Sequence, residues 1–150
     1  MLSPEDRVVM VSGANRGIGL AVARCLHARG YRLSLGGRDS AKLDAALDGL
    51  DRSRVITCAF DARDRASCAA WVERTASHCG RMDGLVNSAG IALSVGIEDD
   101  DEAAYDAMWE VNVKGPLRLI RLALPYLRKS GSGRVVNLSS LSGKRVKNAH

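Results

Sequence analysis

Aromatic side chains are scarce in this chain, with one Phe, two Trp and three Tyr in 150 residues. Set beside its many aliphatic and small residues, that scarcity argues against a β-sandwich. Long apolar runs are missing as well. No stretch approaches the roughly 18 uninterrupted apolar residues of a membrane helix, so no membrane partner is expected. The N-terminal Met1-Leu2-Ser3-Pro4-Glu5-Asp6-Arg7 has no apolar signal core and turns acidic at once. Secretion is therefore not expected, and a cytoplasmic location is.

Paired cysteine motifs are absent too. Cys25, Cys58, Cys68 and Cys79 are widely and irregularly spaced, with no CxxC, so neither a metal site nor a catalytic thiol is expected. Cys68 and Cys79 share a helical stripe with Trp71, Val72 and Thr75 and read as small buried hydrophobes in a reducing compartment. Basic residues outnumber acidic ones by 22 to 17. They are dispersed rather than gathered into a stripe, so no nucleic-acid partner is expected.

What the chain has in quantity is glycine, 15 residues of it, which suits an α/β domain with many tight strand-to-helix turns. The length fits one domain with a real core and no need of staples, and no linker, repeat or low-complexity segment divides it. Val8-Val9-Met10-Val11 reads as a strand buried on both faces. Ile18, Val22, Cys25 and Leu26 follow at helical spacing, and Gly30 is placed to stop that helix. The alternation continues: strand near 32–35, helix near 41–47, strand near 55–60, helix near 65–77 and strand 85–87. A long helical region over 101–128 comes next, opened by the acidic run 98–102, and then a strand over 134–138. Five strands separated by helices imply right-handed crossovers and a Rossmann-type doubly wound parallel sheet, ending after the fifth strand.

Between the first strand and the first helix lies Gly13-Ala14-Asn15-Arg16-Gly17-Ile18-Gly19. Gly13 permits a sharp turn, Gly17 permits close approach of backbone to a pyrophosphate, and Gly19 permits tight packing of helix on sheet. The helix N-terminus adds free N–H groups and partial positive charge. A purely structural turn is the alternative for this motif, and its place between strand and helix favours cofactor binding.

The spacing is GxxxGxG, and here the chain resembles the short-chain dehydrogenase/reductase family. Later landmarks match in order: Asp61 after the third strand, Asn87-Ser88-Ala89-Gly90 after the fourth, Asn112 in the long helix, and Val136-Asn137-Leu138-Ser139-Ser140 closing the fifth. Ser88 departs from the family's NNAG. The resemblance implies that Asp61 accepts a hydrogen bond from the adenine amino group while Ala62 meets the ring edge. It implies that Asn87 braces the central strand and that Ala89 and Gly90 leave room for the ribose.

Charge separates the two nicotinamide cofactors. An NAD site places a carboxylate at the end of the second strand, which would repel a 2′-phosphate. Gly37 occupies that place here, Arg38 follows it, and Arg16 approaches from the glycine turn. Two guanidinium groups for one phosphate point to NADP rather than NAD.

At the reacting end, the resemblance implies Ser140 as the hydroxyl that orients a substrate carbonyl or alcohol, with Ser139 structural. It implies Asn112 in a proton relay through water. Pro116 lacks an N–H, so the carbonyl of Asn112 loses its helical donor and is expected to face the site or a water, a plain packing kink being the alternative; Pro125 does the same for Arg121, with no function inferred. The family's Tyr-x-x-x-Lys acid/base pair is not matched by Tyr31, Tyr105 or Tyr126, and the stretch from Lys144 to His150 reads as the loop leading up to it. The chain is thus expected to be the N-terminal portion of a longer oxidoreductase, homo-oligomeric at full length, moving hydride between NADP(H) and a carbonyl or alcohol. A non-catalytic dinucleotide sensor or scaffold is the alternative. Residues 91–97 are expected to form one apolar wall of the substrate pocket.

Overall fold

The computed structural model describes residues 3–96 and 98–140. Five parallel strands, β1 (Val8–Ser12), β2 (Arg32–Gly37), β3 (Val55–Ala59), β4 (Gly84–Asn87) and β5 (Arg134–Asn137), form one sheet in the order β3-β2-β1-β4-β5. The chain therefore winds outward from β1 in one direction and returns to leave on its other side. The sheet is the parallel, doubly wound one expected. Between β1 and β4 it has a switch point, where crossovers diverge and a crevice opens at the strands' carboxyl ends.

β1 is buried along its whole length because successive residues feed opposite cores. Val9 and Val11 join Leu33, Leu35, Ala23 and Leu43 beneath α1 (Gly17–Ala28) and α2 (Ser40–Ala46). Met10 joins Phe60, Trp71, Leu85 and Leu119 beneath α3 (Arg65–Cys79) and α5 (Gly115–Lys129). Three of the six aromatics, Phe60, Trp71 and Tyr126, pack there. The Phe60 and Trp71 ring centroids stand 4.7 Å apart, and Trp71 Nε1 donates to Ser34 Oγ at 2.9 Å. Gly36 makes room for the indole, since a Cβ at that position would lie 2.7 Å from the ring.

Two expectations hold only in part. The stripe proposed for α1 is only partly its packing face: Val22 and Leu26 pack against the core beside buried Gly19, Ala23 and His27, while Cys25 is exposed and Ile18 is 65 % exposed. Small residues let α1 lie close to the sheet, and Ile18 is displaced to the crevice. The long helical region expected over 101–128 is present without a gap from Glu102 to Lys129, but it is not α-helical throughout. It comprises α4 (Glu102–Trp109), a π-helical segment (Glu110–Lys114) and α5. Gly115 N–H donates to Glu110 O, one residue further back than in an α-helix. Pro116, with no N–H of its own, lies just past this widened turn. Cys68 is buried and Cys79 half-buried on α3, and burial pushes both thiols up, away from reactivity. No helix among the described residues is long and apolar enough to cross a membrane, and no metal-binding cluster occurs among them.

Candidate functional site

A cavity of about 550 Å³ opens at the carboxyl ends of the strands, lined by the glycine turn, the end of β2, the loop after β3, the loop after β4, and Val111. The three glycines of the turn do different work. Gly13, at φ 67°, donates its N–H to Gly36 O at 2.8 Å, and a Cβ on it would stand 2.9 Å from Ala89 Cα. A Cβ on Gly19 would fall 2.3 Å from Gly13 O. Both are demanded by the chain's own packing. Gly17, at φ 56°, has nothing within 4 Å of such a Cβ: the space above it is open to the cavity.

Helix N-termini tell the same story. Asp39, Asp64 and Asp101 cap α2, α3 and α4 with side-chain oxygens, whereas Arg16, at the start of α1, gives no side-chain cap. The first-turn N–H groups of α1 thus lack the carboxylate that α2, α3 and α4 supply for themselves. An anion brought into the cavity satisfies them and meets the positive end of the helix. A dinucleotide's pyrophosphate fits that requirement. Ile18 and Asn15 line the same cavity.

The loop after β4 is stitched to this turn by a residue the sequence reading missed. Ser12, buried at the end of β1, accepts from Ser88 N and Ala89 N, both at 3.0 Å. A lone hydroxyl ending an otherwise apolar strand was the available signal, because buried polar atoms take partners. Asn87 Nδ2 donates to Asn137 Oδ1 at 2.8 Å, bracing β4 against β5. Beyond Ala89, a Cβ on Gly90 would lie 3.3 Å from Asn112 Oδ1. The Asn112 side chain accepts from Ile91 N at 2.9 Å and donates to Ile91 O at 2.8 Å. Asn112 therefore meets the site through a side-chain clamp on the loop, a contact that its spacing from Pro116 gave no reason to anticipate.

The loop after β3 is built from charge. Asp61 Oδ1 accepts from Arg63 N at 3.0 Å and Arg63 Nε at 3.2 Å, and Oδ2 accepts from Arg63 Nη2 at 2.8 Å. The Arg63 guanidinium holds the Asp61 carboxyl below the usual carboxylate range, with Arg38 adding to the effect. Oδ2 has received one N–H where Oδ1 has two, so Oδ2 keeps a lone pair for an outside donor. Ala62 is buried, and its carbonyl accepts from Arg118 Nη1 at 3.1 Å.

Arg16, Arg38, Lys42 and Arg63 all line the cavity. Gly37 ends β2 as expected, but Asp39 also faces the cavity, so a carboxylate stands near the place where none was foreseen. It is already engaged: Oδ1 accepts from Lys42 N at 3.0 Å, and Oδ2 is 3.4 Å from Lys42 Nζ. Ser139 and Ser140 follow β5 and are exposed. Ile97, Ser142-Gly143 and the stretch from Lys144 to His150 lie outside the described residues.

The family described as short chain dehydrogenase matches residues 7–150. The chain belongs to the short-chain dehydrogenases. An agropine synthesis reductase of Rhizobium rhizogenes is 45 % identical over 145 residues, spanning 96 % of this chain and 34 % of its own. An uncharacterized oxidoreductase of Staphylococcus saprophyticus is 36 % identical over 149 residues, spanning 97 % of this chain and 64 % of its own. Among solved structures, a short-chain dehydrogenase from Streptomyces avermitilis superposes with a TM-score of 0.86 at 32 % identity, over 93 % of this chain and 51 % of that one. A putative short-chain dehydrogenase/reductase from Burkholderia xenovorans gives 0.87 at 31 % identity, over 95 % and 59 %. The chain thus spans between a third and two thirds of these relatives. Short-chain dehydrogenases are oxidoreductases that use a nicotinamide dinucleotide.

Proposed function

We propose that this short-chain dehydrogenase binds NADP(H) and moves hydride between it and a carbonyl or alcohol carbon. The observation that carries the cofactor choice is the charge at the end of β2. Gly37 takes the place of an acid, and Arg16, Arg38 and Lys42 line the cavity beside it, against one aspartate already committed to capping α2. A 2′-phosphate meets a net positive surface there, and Arg38 supplies a planar fork matched to it. The pyrophosphate lies over Gly17 on the N-terminus of α1, and Asp61 and Ala62 receive the adenine.

The dinucleotide supplies the hydride. The protein's part is orientation and proton handling. In this reading Ala89 and Gly90 leave room for the ribose, Asn112 fixes the backbone of Ile91, and Ser140 orients the substrate oxygen. The Tyr-x-x-x-Lys pair that exchanges the proton is placed beyond residue 150. Residues 91–96 carry no charged side chain, which suits a substrate without strong charge. The relatives are named as reductases and oxidoreductases, which supports an enzyme over a silent sensor.

Titration of NADPH and NADH into wild type and Arg38→Ala tests this. Loss of the phosphate contact is expected to weaken NADPH binding by ~1.5–3 kcal/mol and to leave NADH nearly unchanged. Equal losses for both cofactors contradict the assignment.

A further inference from the structure

Arg118 is one turn into α5 and 56 residues from the carbonyl of Ala62 that it holds. Its Nη1 donates to Ala62 O at 3.1 Å and Arg63 O at 3.3 Å, the two backbone acceptors that follow Asp61. Its Nη2 donates to Glu110 Oε1, and Glu110 Oε2 is 2.9 Å from Lys114 Nζ. Gly115, three residues earlier on the same helix face, lets α5 pass against the same loop: a Cβ there would stand 2.8 Å from Ala62 Cβ. The Arg118 side chain is 23 % exposed, so it is packed between loop and helix rather than reaching into solvent.

Glu110 opens the π-helical segment, and its neighbours complete a pattern. Val111 lines the cavity, and Asn112 grips both backbone groups of Ile91. Three consecutive residues of one widened turn therefore address Arg118, the cavity and the loop after β4. Through Arg118 the same turn reaches the loop after β3. A planar guanidinium can meet two carbonyls and a carboxylate together, which an ammonium on a flexible stem does not reproduce.

We propose that Arg118 is a positioning residue for the adenosine half of the dinucleotide, fixing the Asp61–Arg63 loop to the π-helical segment through the Ala62 and Arg63 carbonyls. The inference rests on the dinucleotide reading above. It separates the two halves of the cofactor: the adenosine half depends on Arg118, and the nicotinamide half depends on the Asn112 side of the same brace.

Calorimetric titration of the intact protein and its Arg118→Met and Arg118→Lys variants, with adenosine 2′,5′-bisphosphate and reduced nicotinamide mononucleotide as probes, tests it. Arg118→Met is expected to weaken the bisphosphate about 10-fold, the scale of one charge-assisted hydrogen bond. Arg118→Lys, keeping the charge but not the fork, is expected to fall between that variant and wild type. The mononucleotide should change less than about 2-fold in both. Parallel losses for the two probes would mean a general loosening of the fold and overturn the proposal, as would unchanged bisphosphate binding. If Arg118→Met does not fold, Arg118→Lys decides by the same comparison. Wild type that does not bind the bisphosphate removes the dinucleotide reading and this inference with it. Wild type that binds, beside variants that bind equally well, removes this inference alone.

Discussion

The turn after β1 and the loop after β3 line one cavity and are made in opposite ways. The turn is backbone work: Gly13 and Gly19 are required because a Cβ on either would run into neighbouring main chain. The loop is side-chain work, with Arg63 folded onto Asp61 and Arg118 reaching in from α5. A site built from main chain tolerates no added atom, whereas a site built from ion pairs can be retuned one residue at a time. In the proposed reading, recognition of a pyrophosphate, common to both nicotinamide dinucleotides, belongs to the first. In the same reading, discrimination between them falls to side chains such as Arg38.

The sharpest break in that comparison comes from Gly13→Ala. Positive φ and a clash with Ala89 together are expected to cost ~2–4 kcal/mol of stability, read as a lower Tm in thermal melts. A neutral effect would show that the turn is not sterically locked. Gly17→Ala, by contrast, meets only open space, so its stability cost is expected to be ~1 kcal/mol, from φ alone. Its binding cost is larger, ~2 kcal/mol for NADPH and NADH alike, because the new methyl occupies the pyrophosphate's place. Normal binding by this variant would move the pyrophosphate elsewhere.

On the side-chain loop the expected changes are smaller. Asp61→Asn keeps an acceptor but loses the charge, and should weaken both dinucleotides by ~1 kcal/mol; a loss confined to one of them would deny Asp61 its adenine role. The pH dependence of the same pair is subtler still. Arg63 holds the Asp61 carboxyl below its ordinary value. The stability it adds is therefore fully present above the unfolded-state value of about 3.9 and is lost as pH falls through the lower folded value. For a pair this exposed the effect is small. The Tm difference between wild type and Asp61→Asn should hold constant from about pH 7 to about pH 5 and close only in stronger acid. A difference that varies within that window would contradict it.

The contrast also explains what could be read from sequence. The glycine turn was legible because its glycine spacing is local to seven residues between a strand and a helix, and the alternation of apolar runs carried the parallel, doubly wound sheet with it. Ser12 and Arg118 were not, since each acquires its role only when distant segments meet: Ser12 accepts from residues 76 and 77 positions away. The α1 stripe misled at Ile18, which has the right period for a core position but sits where the helix meets the cavity. Pro116 correctly marked a disturbance in the long helix. It did not show that the disturbance would be a π turn carrying Glu110, Val111 and Asn112.

The central claim is that both constructions serve one NADP molecule, and a crystal structure of the protein with NADP⁺ tests it most directly. The account predicts the pyrophosphate over Gly17 at the N-terminus of α1, the 2′-phosphate between Arg16 and Arg38, and the adenine amino group on Asp61 Oδ2 with the Asp61–Arg63 pair intact. A 2′-phosphate turned away from both arginines, or a dinucleotide bound outside the glycine turn, would contradict it.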